Sequence, residues 1–81
     1  MDKAERWQKL FREKGWWDGS KVTEPRGFRL QLQILCGDSP DTVDVSQIVQ
    51  ITEFYIEYRY GGNWIYYYSW DDIVRVDITK R

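Results

Sequence analysis

The sequence has no histidine and only one cysteine among its 81 residues. Without histidine, the chain lacks the commonest general base and the commonest metal ligand. A single cysteine excludes an intrachain disulfide and a cysteine-based zinc site. The chain shows no arrangement typical of a nucleophilic enzyme. We therefore expect a protein that is not an enzyme and that holds neither a metal nor a cofactor.

The sequence also lacks long apolar segments and an excess of one charge. No apolar run approaches the ~20 residues of a membrane-spanning helix. The residues after Met1, from Asp2 to Arg6, are mostly charged, unlike the start of a signal peptide. Twelve basic and thirteen acidic residues give a net charge of −1, which predicts no general attraction to nucleic acid or membrane. The unpaired Cys36 is typical of a reducing compartment, so we expect a cytoplasmic protein without a membrane partner.

Aromatic residues, in contrast, are abundant. They make up 17% of the chain, and hydrophobic residues as a whole make up 42%. This composition is typical of a folded protein, and the length suits a single domain over residues 1–81.

Residues 2–14 have the pattern of a short amphipathic helix. Trp7 and Phe11 lie on one stripe with Ala4 and Leu10, at spacings of three and four residues. A helix of about three turns is marginal in water. We therefore expect the stripe to dock, either on the protein's own sheet or on a partner.

Residues 15–27 form a connection with three glycines and one proline. We expect Trp16 and Trp17 within it to cover one end of the core. A contact loop is the alternative, in which case these residues and the helix stripe form a second contact region: Trp7, Phe11, Trp16 and Trp17.

Residues 28–78 alternate between apolar and polar positions and predict five strands. The alternation is clearest in Phe28–Cys36, and Gln47 interrupts it in residues 43–51, which we attribute to a β-bulge. The remaining strands are predicted at 53–60, 63–70 and 73–78, followed by a tail at 79–81. The predicted fold is mainly β within the α+β class, with the helix packed on a five-stranded, strongly bent antiparallel sheet or small barrel.

Gly61 and Gly62 predict a two-residue hairpin loop that pairs Arg59 with Trp64. Paired residues share a face of the sheet. The predicted core face carries Phe54, Ile56, Tyr58, Tyr60, Asn63, Ile65, Tyr67 and Ser69. The opposite face carries two glutamates and the candidate binding residues Tyr55, Arg59, Trp64, Tyr66, Tyr68 and Trp70.

Three interpretations of this aromatic face remain open. In the first, the N-terminal helix covers the face. In the second, the face is an interaction platform for a partner, and in the third, it is an interface between copies of the chain. Tyrosine and tryptophan are the residues that interface hot spots favour. Self-association is also expected through the strand edges at 43–51 and 73–78.

The segment Tyr68-Ser69-Trp70-Asp71-Asp72-Ile73-Val74-Arg75-Val76, after a helix and four strands, resembles the Sm-like barrel. The resemblance includes the bacterial RNA-chaperone branch of that family, which has a leading helix. It covers the layout of residues 2–78 and implies a small barrel, and SH3-like and OB-like barrels are also compatible. Residues 51–56 lack the asparagine of the family's first motif, so its RNA-contact residues are not carried over.

Two functions are compatible with these patterns. The first is a non-catalytic module that acts by occupying a protein partner, as a regulator, an adaptor or a phage-type inhibitor. The second is a module that binds single-stranded nucleic acid or a nucleotide by stacking bases on the aromatic face. Arg29 and Arg59 would then contact phosphates.

Overall fold

Six strands, rather than the predicted five, form two separate antiparallel sheets in the computed structural model, which describes residues 2–81. One sheet has the strand order β2-β1-β6 and the other β3-β4-β5. The chain is therefore mainly β within the α+β class, as predicted. The prediction of a single five-stranded sheet or small closed barrel is wrong. The elements are α1 (Lys3–Glu13), β1 (Phe28–Cys36), β2 (Ser39–Asp44), β3 (Ile48–Ile51), β4 (Ile56–Tyr60), β5 (Trp64–Tyr68) and β6 (Ile73–Lys80). Within residues 2–81, no helix has the length and apolar content needed to cross a membrane.

Two 3₁₀ turns carry the chain from one sheet to the other. We call them the first corner (Val45–Gln47) and the second corner (Trp70–Asp72). At each corner, the third residue accepts a hydrogen bond from the backbone N–H that precedes the turn, at 2.9 Å to Gln47 Oε1 and 2.9 Å to Asp72 Oδ2. This contact stabilises a tight turn. Gln47 thus interrupts the alternation because the chain turns a corner there, and the irregularity in the pairing of β3 with β4 follows directly after it, between Ile48 and Gln50.

The helix α1 begins where the sequence predicts and docks on the second corner. Asp2 caps it by accepting a hydrogen bond from Glu5 N at 2.8 Å. Phe11 is fully buried, with its ring edge-on to Trp70 at 5.2 Å between centroids. Trp7 is half-buried and donates from its indole to the Ile73 carbonyl at 3.1 Å. The helix therefore does not cover the tyrosine-rich strand β5.

A pair of tryptophans lies at the centre of the core. Trp17 and Trp70 are 4% and 1% exposed, and their ring centroids are 4.8 Å apart. Their indole N–H groups donate to consecutive carbonyls, at 2.8 Å to Ile51 and 2.7 Å to Thr52. The connection at 15–27 therefore covers one end of the core, and the half-buried Trp16 packs beside it. Phe11 and Trp17, predicted as part of a second contact region, are not accessible to a partner.

The β4–β5 hairpin has a three-residue loop, so its predicted register is wrong by one residue. Tyr60 pairs with Trp64, and Arg59 pairs with Ile65. A shift of one residue moves every side chain of a strand to the opposite face. Trp64, Tyr66 and Tyr68 consequently share a face with the buried Ile56 and Tyr58, and the other β5 residues turn outward.

The last strand is longer than predicted. Thr79 and Lys80 continue β6 and pair with Arg29 and Phe28, so the predicted tail is wrong for both. Arg81 N donates to the Gly27 carbonyl at 2.9 Å, and its guanidinium forms an ion pair with Glu24. The end of the chain is therefore fixed beside the start of β1.

Trp70→Ala is expected to destabilise the fold by about 3–5 kcal/mol, because it leaves a cavity at the centre of the core. That loss is comparable with the whole stability of a small domain, ~5–15 kcal/mol. Trp64→Ala is the matched control, since Trp64 is 65% exposed, and it is expected to change stability by less than about 0.5 kcal/mol. Urea unfolding followed by far-ultraviolet circular dichroism measures both. Equal midpoints for the two variants would contradict the central role of Trp70.

Candidate functional site

The six candidate binding residues do not share one face. Trp70 belongs to the core, and Arg59 lies on the outer face of its sheet opposite Ile65. The predicted pairing of Arg59 with Trp64, which would have placed the guanidinium beside the indole ring, is therefore wrong. The cation–π contact that the structure does show places Arg12 Cζ 4.2 Å from the centre of the Trp17 ring.

Four tyrosines, which we call the tyrosine cluster, line the inner face of the β4–β5 hairpin: Tyr58, Tyr60, Tyr66 and Tyr68. Cross-strand aromatic pairs of this kind stabilise a sheet. Tyr58 stacks on Tyr68 at 5.9 Å, and Tyr60 contacts Tyr66 at 5.5 Å. Exposure increases along the hairpin, from 1% at Tyr58 to 49% at Tyr60 and 65% at Trp64. The cluster thus closes the core at one end and becomes accessible at the hairpin tip.

The phenol groups at the buried end of the cluster stay neutral well into the alkaline range. Burial raises the pKa of Tyr58 above its ordinary value, and the thiol of Cys36 adds to this shift. The pKa of Tyr68 is raised to about 12, by the neighbouring Cys36 thiol first and by burial second. Cys36 Sγ lies 3.9 Å from the Tyr58 hydroxyl and is half-buried. The cluster offers neutral hydroxyl groups and apolar rings rather than charge.

The outer face of the hairpin and the turn before it expose further apolar side chains. Ile65 and Tyr67 are 40% and 62% exposed, and Tyr55 lies edge-on to Tyr67 at 5.7 Å. Phe54 is 77% exposed, because it lies in a turn in which Thr52 Oγ1 accepts its backbone N–H at 3.1 Å. The predicted burial of Phe54 is wrong because the residue lies in this turn. The predicted burial of Ile65 and Tyr67 is wrong because of the shifted register of β5. A serine or threonine turn at Thr52 is the sequence signal that would have removed Phe54 from the strand.

Charge is sparse around the hairpin. Between Glu53 and Trp70 the sequence holds one cation, Arg59, and two glutamates. Arg29 pairs with Thr79 at the opposite end of β1 from Cys36, which contacts the tyrosine cluster. Seven residues of extended strand separate Arg29 from Cys36, a span of about 23 Å. The structure therefore does not bring the two predicted phosphate contacts together beside the aromatic residues.

Three aspartates spaced by three residues follow β1, namely Asp38, Asp41 and Asp44, and they do not form a metal site. Asp44 accepts a hydrogen bond from Gln31 Nε2 at 2.7 Å. In the part of the chain that the structure describes, no group of three histidine, cysteine, aspartate or glutamate side chains could hold a metal ion.

Comparison of the chain with protein-family models, curated proteins and solved structures finds no match. The resemblance to the Sm-like barrel therefore stays a prediction.

The raised pKa values predict a loss of stability at alkaline pH. The neutral phenols of Tyr58 and Tyr68 contribute stability that is fully present below about pH 10, the ordinary tyrosine pKa. This stability is lost as the pH rises through the raised pKa values, about 12 for Tyr68 and also above the ordinary value for Tyr58. Tyr68→Phe removes one of these titrations and is expected to make the alkaline fall in the free energy of unfolding shallower. Tyr67→Phe is the control, because Tyr67 is exposed. This variant is expected to leave the alkaline fall in the free energy of unfolding unchanged. Urea midpoints measured across the alkaline range test this, and identical curves for the two variants would contradict it.

Proposed function

We propose that the protein is a non-catalytic module that acts by occupying a partner protein through the exposed residues of the β4–β5 hairpin. The observation that carries this proposal is the exposure of four large apolar side chains on the hairpin and the turn before it. These are Phe54 in the turn, Tyr60 and Trp64 on the inner face at the hairpin tip, and Tyr67 on the outer face, between 49% and 77% exposed. We call them the hairpin surface.

The composition of the hairpin surface supports a protein partner. Burying a large apolar side chain contributes about 1.5–3 kcal/mol, and tryptophan and tyrosine dominate interface hot spots. Glu57 and Arg59 lie on the outer face of β4, where they pair with Tyr67 and Ile65 and supply a polar rim on that face. A regulatory subunit, an adaptor and a phage-type inhibitor would all use such a surface in the same way, by blocking or bridging a partner in the cytoplasm.

The alternative, binding of single-stranded nucleic acid, has weaker support. Such binding combines stacked aromatic residues with a cationic groove along the backbone. Trp64 could stack on a base, but Arg59 lies on the other face of the sheet and Arg29 lies at the far end of β1. The separation of rings and cations favours a protein partner.

Affinity capture from the native cell tests the proposal. The wild-type chain is expected to retain a nuclease-resistant protein, and Trp64→Ala and Tyr67→Ala are each expected to lower its yield at least about tenfold, as hot-spot residues do. Phe28→Ala is the matched control, because Phe28 is an exposed aromatic residue on the other sheet.

Two outcomes would contradict the proposal. Equal yields from the wild type and both hairpin variants would mean that the hairpin surface is not the binding site. A nuclease-sensitive catch that weakens steeply as salt rises would identify nucleic acid as the ligand, because binding to phosphates releases counterions.

A further inference from the structure

The two sheets leave four strands at their edges: β2, β6, β3 and β5. An edge strand presents unpaired backbone N–H and C=O groups, which another extended chain can join. Natural proteins protect such edges with proline, charged side chains, irregular pairing or a covering segment. The four edges of this protein differ in that protection.

The edges of the β2-β1-β6 sheet carry protecting residues. Strand β2 contains Pro40 and two aspartates, and β6 carries Arg75, Asp77 and Lys80. The pairing of β6 also shifts register opposite Gln33 and Ile34. These features disfavour a further strand on either side of this sheet, including the predicted self-association through 73–78.

The edge of β3 is covered by the connection between α1 and β1. Ile51 N donates to the Ser20 carbonyl at 3.0 Å, and the Ile51 carbonyl accepts the indole N–H of Trp17 at 2.8 Å. The backbone groups at this end of β3 are thus already bonded, which disfavours the other predicted self-association edge, 43–51.

The edge of β5 has none of these protections. Trp64–Tyr68 contains no charged residue, no proline and no glycine. Among the residues that the structure describes, no backbone hydrogen bond from outside the sheet reaches β5. An uncharged aromatic strand with a free edge is a template for strand addition.

The bonding of β3 shows which groups of β5 are free. Ile51 directs its N–H and C=O away from β4, so its partner Ile56 directs its own groups toward Tyr68 on β5. Bonding alternates along an antiparallel pair. The N–H and C=O groups of Ile65 and Tyr67 therefore point to the free edge.

A second contact leads to the same assignment. The Arg59 carbonyl accepts Gln47 Nε2 at 3.3 Å, and Gln47 directly precedes β3. Arg59 thus directs its carbonyl away from its partner on β5, Ile65. Ile65 and Tyr67 stand about 6.8 Å apart along the strand, the repeat at which an added strand would bond.

We propose that the partner binds by adding an extended segment of its own chain to the edge of β5, bonded to the backbone of Ile65 and Tyr67. This proposal rests on the proposed function and specifies its ligand. The segment is uncharged, because no residue of β5 offers an ion pair, and it carries apolar side chains on both faces. On one face they contact Trp64 and Tyr66, and on the other Ile65 and Tyr67.

A segment of another protein fits this edge better than a second copy of the chain. Pairing of β5 with its own copy is limited to five residues on each side, about 17 Å of strand. Stable and specific dimers bury ~1,200–2,000 Å². A partner segment can extend beyond both ends of the strand, which β5 of a second copy is too short to do.

Random linear peptides displayed on phage and selected on the full chain test the proposal, followed by binding measurements with the enriched peptide in synthetic form. We expect enrichment of uncharged sequences rich in β-branched and aromatic residues, without internal proline. Methylation of the peptide's backbone nitrogens is expected to abolish binding at alternate positions and to leave it intact at the positions between. Failure to enrich any peptide, or methylation that has no effect at any position, would overturn the proposal.

Two variants at one position separate backbone pairing from side-chain contact. Ile65→Ala and Ile65→Pro both remove the side chain, but only proline removes the N–H that faces the free edge, a change that edge strands tolerate. Ile65→Pro is expected to bind the synthetic peptide at least about tenfold more weakly than Ile65→Ala, the upper range for one hydrogen bond. Circular dichroism should show both variants folded, and an unfolded Ile65→Pro would contradict the assigned direction of its N–H.

The remaining outcomes distinguish this proposal from the proposed function. Equal binding by the two Ile65 variants, with loss of the native partner in Trp64→Ala, would leave the hairpin surface as the binding site and overturn strand addition. Retention of the native partner by Trp64→Ala and Tyr67→Ala would overturn both the proposed function and strand addition. A wild-type dimer in light scattering that Ile65→Pro converts to a monomer would identify a second copy as the occupant and overturn the assignment to another protein.

Discussion

The rest of the structure depends on the contact between Trp17 and Trp70. Each indole N–H must find an acceptor when buried, since an unpaired polar group in a core costs about 1–3 kcal/mol. The two donate to the consecutive carbonyls of Ile51 and Thr52, where β3 ends. Trp17 belongs to the connection after α1, and Trp70 begins the turn that leads into β6. Phe11 of α1 packs edge-on against Trp70, so this pair of rings joins the helix, the connection and both sheets.

Much of the fold could be predicted because its signals are local. The helix follows from its apolar spacing and from Asp2 as its cap, and the inward row of β1 follows from strict alternation: Leu30, Leu32 and Ile34 are all fully buried. The first corner was missed because its stabilising contact is made by a side chain three residues away, Gln47, in a segment that otherwise alternates like a strand. The second corner was predicted only as the short turn between the strands at 63–70 and 73–78, without the change of sheet. A bent strand and two strands joined by a corner give nearly the same sequence pattern.

The candidate site could be predicted only as far as its aromatic composition. Gly61-Gly62-Asn63 is compatible with a loop of two or three residues, and the difference of one residue exchanges the two faces of β5. Trp70 was assigned to the exposed face by counting alternation past Ser69, where the strand has already ended. Phe54 was assigned to the core by the same count in the opposite direction. Alternation within a strand is reliable, but its extension across an unrecognised turn is not.

Aromatic side chains serve two purposes in this small protein, and the sheet edge separates them. Trp17 on the core side bonds to the carbonyl of Ile51 and, together with the Ser20 carbonyl that accepts Ile51 N, covers this end of the β3 edge. The aromatic residues of β5 make rings available on both faces of the strand, yet none of them carries a charge that would keep another chain away. An unprotected edge exposes a protein to aggregation, and the other three edges show that protection is attainable in this fold. The edge of β5 therefore differs from the others in the feature that a strand-binding site requires.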